Sequence, residues 1–489
     1  MTEILFVSPP TPDPLEHRSY SVNAPPLGIC YLAAVLREAG YSVAGVELAF
    51  AQDPFEELKK SISEHDPRVI GFHTATVNYY LTEKLLRVAR DTQTDAITWV
   101  GGPHVTYEYE TALLHSGFDV VFLFEAEDSA LEVANCQLRG QGKLDEIRGI
   151  AYKKDRQIVK TQSRPRQKVL DTIPYPARDL FPIEQYSRPG TIMSSRGCPI
   201  KCIFCIASTF EDAYRYRSPE NVIGELKEMY KTWGIDDFYF VDNVFTTHRS
   251  RASKICQLLR EENLPIGWYC VSRVDYVTPV LMQELASAGC YRIELGVESA
   301  NIGVIDTMKK RIKLEQVYRA ADIIQNLGMQ PMFTFQVGHP DDTQETIEAT
   351  LRLAEELRNR GAGTYLGITT PYPGTPLMLD REKYKLHLET QDWEDFRWTN
   401  PTYSTANFSR NDLRKAVYRD AVAVQRAVAE GKQHDPTSAP WIRFASDHEG
   451  VSLPSPPTLK DIAAPLHIED RKPESPAARI SLPVLQVSR

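Results

Sequence analysis

At 489 residues the chain is too long for one ordinary core, and roughly two or three domains are expected. Its 65 acidic and 56 basic residues leave a net charge of −9, with no Lys/Arg stripe that would track phosphates, so nucleic acid is not an expected partner. Apolar runs are short and broken by charges, which excludes a membrane span, and "MTEILFVSPP" enters a strand without a basic leader or cleavage site; the expected location is the cytoplasm.

Residues 1–140 alternate β-rich runs ("ILFVS", "YSVAGVEL", "RVIGFHT", "AITWVGG", "DVVFLF") with amphipathic helices. Five strands with such crossovers predict a doubly wound, flavodoxin-like α/β sheet. Gly40 closes the first helix at its C′ position, and Gly101 and Gly102 follow an apolar strand where side chains would block a close ligand. Ligands of such sheets gather beyond the carboxyl ends of the strands, and without G-x-G-x-x-G after the first strand a dinucleotide is disfavoured. Residues 141–186 read as a linker, with a hairpin turned at Lys154-Asp155 and then the Pro-punctuated "DTIPYPARDLFP".

A second alternating series fills 187–380: "TIMSSRGC", "DDFYFVDN", "GWYCVSR", "YRIELGVES", "PMFTFQVG" and "GTYLGITT", with helices between them. Ser218-Pro219 and Thr278-Pro279 each place a capping side chain before Pro at the first helical position. Six βα units predict a partial (β/α)6 barrel with its chemistry at the C-terminal strand ends. Residues 381–431 are expected to be helical, and the Pro-rich 432–489, without apolar periodicity, to be a disordered tail. The aromatic stretch "YKLHLETQDWEDFRWTNPTYSTANF" reads as core packing under the last helices or as the wall of a hydrophobic pocket, with packing favoured.

Eight cysteines in a chain of this kind argue against a disulfide framework. Cys30, Cys136, Cys256, Cys270 and Cys290 are scattered among apolar residues and read as small buried hydrophobes. The other three, in "SSRGCPIKCIFC", are Cys198, Cys202 and Cys205, spaced C-x3-C-x2-C with no fourth nearby. Structural zinc and ferredoxin-type clusters both want four protein ligands. A four-iron cluster on three thiolates leaves one iron open, which is useful only to an exogenous ligand.

With Phe204 before the third cysteine, and the motif directly after the first barrel strand, residues 190–380 resemble the radical S-adenosylmethionine (SAM) enzymes. The resemblance implies a [4Fe–4S] cluster whose open iron takes the amino and carboxylate groups of SAM. It also implies an electron donor such as flavodoxin or ferredoxin. By the same resemblance Asp242 and Asn243 would face the SAM amino group, and Ser272 and Arg273 its carboxylate. Glu294 and Glu298 would face the ribose beside Gly296, and Gln336 and Gly338 the adenosine. Strand-end capping is the alternative for Asp242 and Asn243, and a plain ion pair for Arg273 and Glu298.

"APPLGICYLAAVLREAGYSV", "VGGPHVTYE", "IPYPARDLF" and "TPYPGTPL" extend the resemblance to the cobalamin-binding branch of that family over most of residues 1–380. This implies cobalamin between the two domains, its nucleotide tail near Thr74, Thr76, Gly101, Gly102 and His104. D-x-H-x-x-G is absent, so no histidine is expected on cobalt, and His73 reads as a strand-end residue. In "LFEAED", Glu125 and Glu127 match the family's Gly-Glu-Gly-Glu-like turn, but Phe124 and Ala126 are expected to lack its φ freedom. The implied activity is methyl transfer from SAM, by way of cobalamin, to a carbon of a small molecule. A cyclase or rearrangement enzyme without net methylation is the rival, and a non-catalytic cobalamin sensor a more distant one.

Overall fold

The computed structural model describes residues 2–12, 20–21, 24–210, 213–431 and 484–486. Its first sheet contains β1 (Ile4–Ser8), β2 (Val43–Glu47), β3 (Val69–His73), β4 (Ile97–Gly101) and β5 (Val120–Phe122), parallel and in the order β2-β1-β3-β4-β5. Every residue of β1 is buried, as a strand covered on both faces by crossover helices requires. The helix Leu27–Glu38 ends with Gly40 at φ +82°, as expected of a C′ glycine. In the helix Pro54–His65, Asp53 accepts hydrogen bonds from the N–H groups of Phe55 and Glu56 at 2.8 and 3.2 Å.

The hairpin expected in the linker belongs to this sheet. Its strands β6 (Ile150–Lys154) and β7 (Gln157–Lys160) pair antiparallel beyond β5. The turn falls one residue later than expected, on Asp155 and Arg156, whose φ values of +48° and +65° match the right-handed twist of the strands. The tail expected at 432–489 lies outside the described residues except for 484–486, which pair with β7.

The second sheet is fully parallel and sequential: β8 (Thr191–Ile192), β9 (Asp237–Phe240), β10 (Gly267–Arg273), β11 (Cys290–Glu298), β12 (Gln330–Val337) and β13 (Gly363–Ile368). Ser218 and Thr278 cap the helices after them, accepting from Asn221 N–H at 3.2 Å and Leu281 N–H at 3.4 Å. Side chains bond the carbonyls in and just after the short first strand. Arg178, Arg217 and Arg251 donate to the carbonyls of Thr191, Met193 and Ser194 at 2.8, 2.9 and 2.6 Å.

One apolar core runs from the helix Leu27–Glu38 through Phe181, Ile183 and Tyr186 of the linker into the barrel. The linker is thus a wedge between the two sheets, with the Tyr186 hydroxyl donating to Glu47 at 2.9 Å. The helix Arg410–Ala429 packs on the barrel, where Arg358 reaches Asp420 at 2.8 Å. Phe396, Tyr403 and Phe408 of the aromatic stretch are buried, in accord with core packing. Cys30, Cys256, Cys270 and Cys290 are buried as expected, whereas Cys136 is only half-buried because it faces the turn at Gly142.

Candidate functional site

The three-cysteine loop lies between two short antiparallel strands, Ser195–Arg196 and Arg215–Tyr216, at the mouth of the barrel. Asp242 fixes the approach to it, accepting from the N–H groups of Ser194 and Ser195 at 2.7 and 3.1 Å and from their hydroxyls at 2.6 and 2.5 Å. Oδ1 of Asp242 therefore holds the backbone before Cys198, and Oδ2 holds the two serine hydroxyls. Asn243 is exposed beside it.

Within the loop the Cys205 N–H donates to the Cys202 carbonyl at 3.2 Å. Cys202 is buried, and Cys198 and Cys205 are partly exposed. Burial pushes the Cys202 thiol up to about 12, opposed by the charge of Lys310; burial also raises Cys205. Among the described residues no three His, Cys, Asp or Glu side chains are gathered as a single ion would require. A cubane gives each thiolate an iron of its own, and three free thiols in one loop fit that donor set.

The other strand ends converge on this loop. Ile203 N–H donates to the Met308 carbonyl at 3.2 Å, and Leu377 N–H to the Ile203 carbonyl at 2.9 Å. Phe204 packs its ring 5.7 Å from that of His339. Ser272 is buried against the Thr246 hydroxyl at 2.6 Å. Arg273 places its guanidinium fork on Asp275 at 2.9 and 3.1 Å and on the Lys310 carbonyl at 2.8 Å. Glu294 stands 3.2 Å from Arg292.

Glu298 is buried at φ +71°; Lys310 donates to its Oε1, and its Oε2 has no protein partner. A Cβ on Gly296 would stand 2.4 Å from Lys310 Nζ and 2.5 Å from Glu298 Oε1, so the glycine makes room for this ion pair. Lys310 was missed in the sequence because "MKKRIK" reads as a solvated charge run. It turns inward between Lys309 and Arg311, at φ +60° and +57°, backbone conformations that cost non-glycine residues energy.

Gln336 accepts from Thr369 at 3.3 Å. Gly338, at φ +88°, donates its N–H to Asp342 at 2.9 Å, and its carbonyl takes the Tyr403 hydroxyl. His339 is buried; burial, with Lys310 adding to it, lowers its imidazole to about 3 and keeps it neutral. Burial raises Asp342 to about 6.

Across the interface stand the carboxyl ends of the first sheet. Thr74 is buried with its hydroxyl on the Ala75 carbonyl and Asn78 at 3.1 and 3.2 Å. Gly101 accepts the Thr74 N–H at 2.9 Å. Gly102 has φ +128°, and a Cβ there would meet the Thr74 carbonyl at 2.1 Å. Gly102 is thus required by the neighbouring backbone, whatever ligand approaches. His104 bonds Thr76 through Nδ1 at 3.3 Å, and its buried Nε2 has no partner. Its ring lies between Tyr79 and Trp393, at 4.4 and 5.1 Å, and burial lowers it to about 3. His73 ends β3, and burial lowers it too.

Glu125 takes both guanidinium nitrogens of Arg215 at 2.9 and 2.5 Å and lies 3.5 Å from Arg196; Glu127 takes Arg196 at 2.6 Å. Burial raises Glu125, but the Arg215 hydrogen bonds and the Arg196 charge outweigh it and leave the carboxyl below its ordinary value. Phe124 departs from expectation by adopting φ +65°, held by ring contacts with Tyr107 and Phe210 at 5.9 and 5.5 Å and by Arg166 over its face at 4.2 Å. Ala126, at φ −121°, needs no glycine-like freedom.

Residues 18–134 match the model of the B12 binding domain, and residues 192–354 that of the radical SAM superfamily. An uncharacterised methyltransferase of Pyrococcus horikoshii is 31% identical over 84% of this chain and 90% of its own length. The anaerobic magnesium-protoporphyrin IX monomethyl ester cyclase of Rubrivivax gelatinosus is 27% identical over 80% of this chain and 72% of its own. Among solved structures, the radical SAM methyltransferase TsrM from Kitasatospora setae, with cobalamin and a [4Fe–4S] cluster bound, superposes with a TM-score of 0.67 at 17% identity, covering 80% of this chain and 78% of that one. Two matched domains, a shared fold and a relative similar over nearly its whole length place the chain in the cobalamin-binding radical SAM family of enzymes.

Proposed function

We propose that the protein transfers a methyl group from SAM, by way of cobalamin, to a carbon of a small molecule. The observation that carries this reading is the apposition of two strand-end mouths. The cysteine loop of the barrel is joined to the first sheet by Glu125, and the "PYPGTP" loop sets Gly374 against Tyr107, where a Cβ would be 2.2 Å from the ring. When bound, the cluster and SAM supply a radical that removes hydrogen from carbon, and cobalamin supplies a methyl carrier for a centre too poor in electrons to attack SAM directly.

The chain's own part is to bind, orient and exclude water. Cys198, Cys202 and Cys205 hold the cluster. Lys310 keeps Glu298 in place with one oxygen open for a ligand hydroxyl, and Phe204, Gln336 and Gly338 form a wall for adenosine. Asp242 acts through the loop by holding its approach, and Arg273 meets the SAM carboxylate only by sharing or releasing Asp275. Thr74, Thr76, Gly101, Gly102 and His104 shape the first-domain mouth. His104, enclosed between two rings, would not serve as a cobalt ligand if cobalamin bound here; nitrogen splitting in the cob(II)alamin electron paramagnetic resonance spectrum would contradict this. We place the reaction in the cytoplasm, with an electron donor of the flavodoxin or ferredoxin type; among the described residues no helix is long and apolar enough to cross a membrane.

The test uses SAM labelled in its methyl group. Methylation predicts labelled product, with S-adenosylhomocysteine and 5′-deoxyadenosine formed in equal amounts. A second reading, cyclisation or rearrangement, is favoured by the similarity to the ester cyclase. It predicts a changed substrate with 5′-deoxyadenosine but neither label nor S-adenosylhomocysteine, and that outcome would overturn methyl transfer.

A further inference from the structure

The base of the cysteine loop is a register pair, Arg196 opposite Arg215. Gly197, between Arg196 and Cys198, has φ +85°, and a Cβ there would lie 2.2 Å from the Ala213 carbonyl, so the two limbs of the loop touch at this point. Two like charges paired across strands repel. Here both point to the same turn of the other domain. Arg215 makes two hydrogen bonds to Glu125, Arg196 divides itself between Glu125 at 3.5 Å and Glu127 at 2.6 Å, and all four side chains are largely buried. That turn is tied in its own domain to the strand-end loop of Gly102: Phe124 N–H donates to Thr106 Oγ1 at 3.0 Å, and Thr106 Oγ1 to the Gly102 carbonyl at 3.1 Å. Direct bonds therefore run from the first-domain mouth to a residue two positions before the first cysteine.

We infer that Glu125, with Arg196 and Arg215, is a clasp that sets the spacing between the cluster loop and the first-domain mouth, and that Glu125 is a positioning residue and not a cofactor contact. Its oxygens are taken by arginines, and a bidentate carboxylate–guanidinium pair fixes orientation as well as distance. The apolar core shared through the linker wedge is non-directional. Two arginines from one loop base, meeting one carboxylate, add a directional restraint to it.

The inference rests on the reading that the loop holds a cluster and the first domain cobalamin. The full chain is loaded with both, the cluster reduced and cobalamin as cob(II)alamin, and pulsed electron paramagnetic resonance reads the relaxation that the cluster imposes on cobalt. Glu125→Gln is expected to weaken this enhancement and broaden its distribution in molecules that retain both cofactors. Arg215→Lys, which keeps the charge but loses the fork, is expected to fall between Glu125→Gln and wild type. Arg37→Gln, which removes a surface pair with Asp179, is expected to leave it unchanged. A merely structural role would lower cofactor content or melting temperature without altering the enhancement in loaded molecules. Wild-type enhancement in loaded Glu125→Gln overturns the clasp, as does wild-type enhancement in Arg215→Lys should the first variant not fold. Wild-type protein that takes up no cobalamin or no iron would instead overturn the reading beneath it.

Discussion

The two mouths that face each other are built from different chemistry. The barrel mouth carries charged pairs: buried Lys310 with buried Glu298, and buried Arg273 with half-buried Asp275. At the first-sheet mouth Thr74, Thr76 and His104 are neutral, and the shape comes from backbone packed on backbone at Gly102. The contrast suits a zwitterionic, redox-active partner at one side and a bulky ligand recognised by shape at the other. It also sets how each side should fail, by an unpaired charge in the barrel and by a steric clash in the first domain.

The largest effect should follow from Gly102→Ala. Its Cβ would stand 2.1 Å from a backbone oxygen at φ +128°, so both strands must shift. The expected result is a loss above about 3 kcal/mol in unfolding free energy and loss of cobalamin retention, with iron content much less affected. A wild-type melting temperature and cobalamin content would show that the mouth is not fixed by backbone contact.

Next, Lys310→Met leaves the Glu298 carboxylate buried without its cation. Breaking a buried pair in this way is expected to cost roughly 3 kcal/mol, the low end of the usual range. SAM affinity, measured by equilibrium dialysis on the reconstituted protein, should fall, while cobalamin retention should stay as in wild type. An equal loss of both ligands would erase the distinction between the mouths.

The smallest effect is pH-dependent and belongs to the junction. The Glu125 carboxyl lies below the ordinary 4.5, so around that pH the unfolded chain holds a proton that the native state has released. Its stabilising contribution is complete above about pH 4.5 and is lost as pH falls through the folded value. The melting-temperature gap between wild type and Glu125→Gln should therefore be widest at neutral pH and narrow below pH 4.5. A gap that does not change with pH would mean that the carboxylate charge contributes nothing.

Much of the scaffold was legible in the sequence, because alternating apolar strands and amphipathic helices write their periods locally. The cysteine spacing and the Ser218-Pro219 and Thr278-Pro279 caps are equally local. What could not be read depends on distant partners. Glu125 gave no sign of Arg215, 90 residues away, and His104 none of Trp393. Asp242 has a strand-end position whether it faces a ligand or the Ser194 and Ser195 backbone. Lys310 was hidden because left-handed residues on either side of it reverse the outward direction that a lysine run suggests. Phe124 is the converse case: its side chain argued against a left-handed turn, and ring packing against Tyr107, Phe210 and Arg166 outweighed the local preference.

The central claim is that one chain carries two separate cofactor mouths, and quantifying both cofactors after anaerobic reconstitution tests it most directly. Wild-type protein should hold about four iron and four sulfide, together with one cobalamin. Cys202→Ala should lose the cluster and all turnover yet keep cobalamin. Stoichiometric zinc in place of iron, full activity in Cys202→Ala, or wild-type protein that binds no cobalamin would contradict the account.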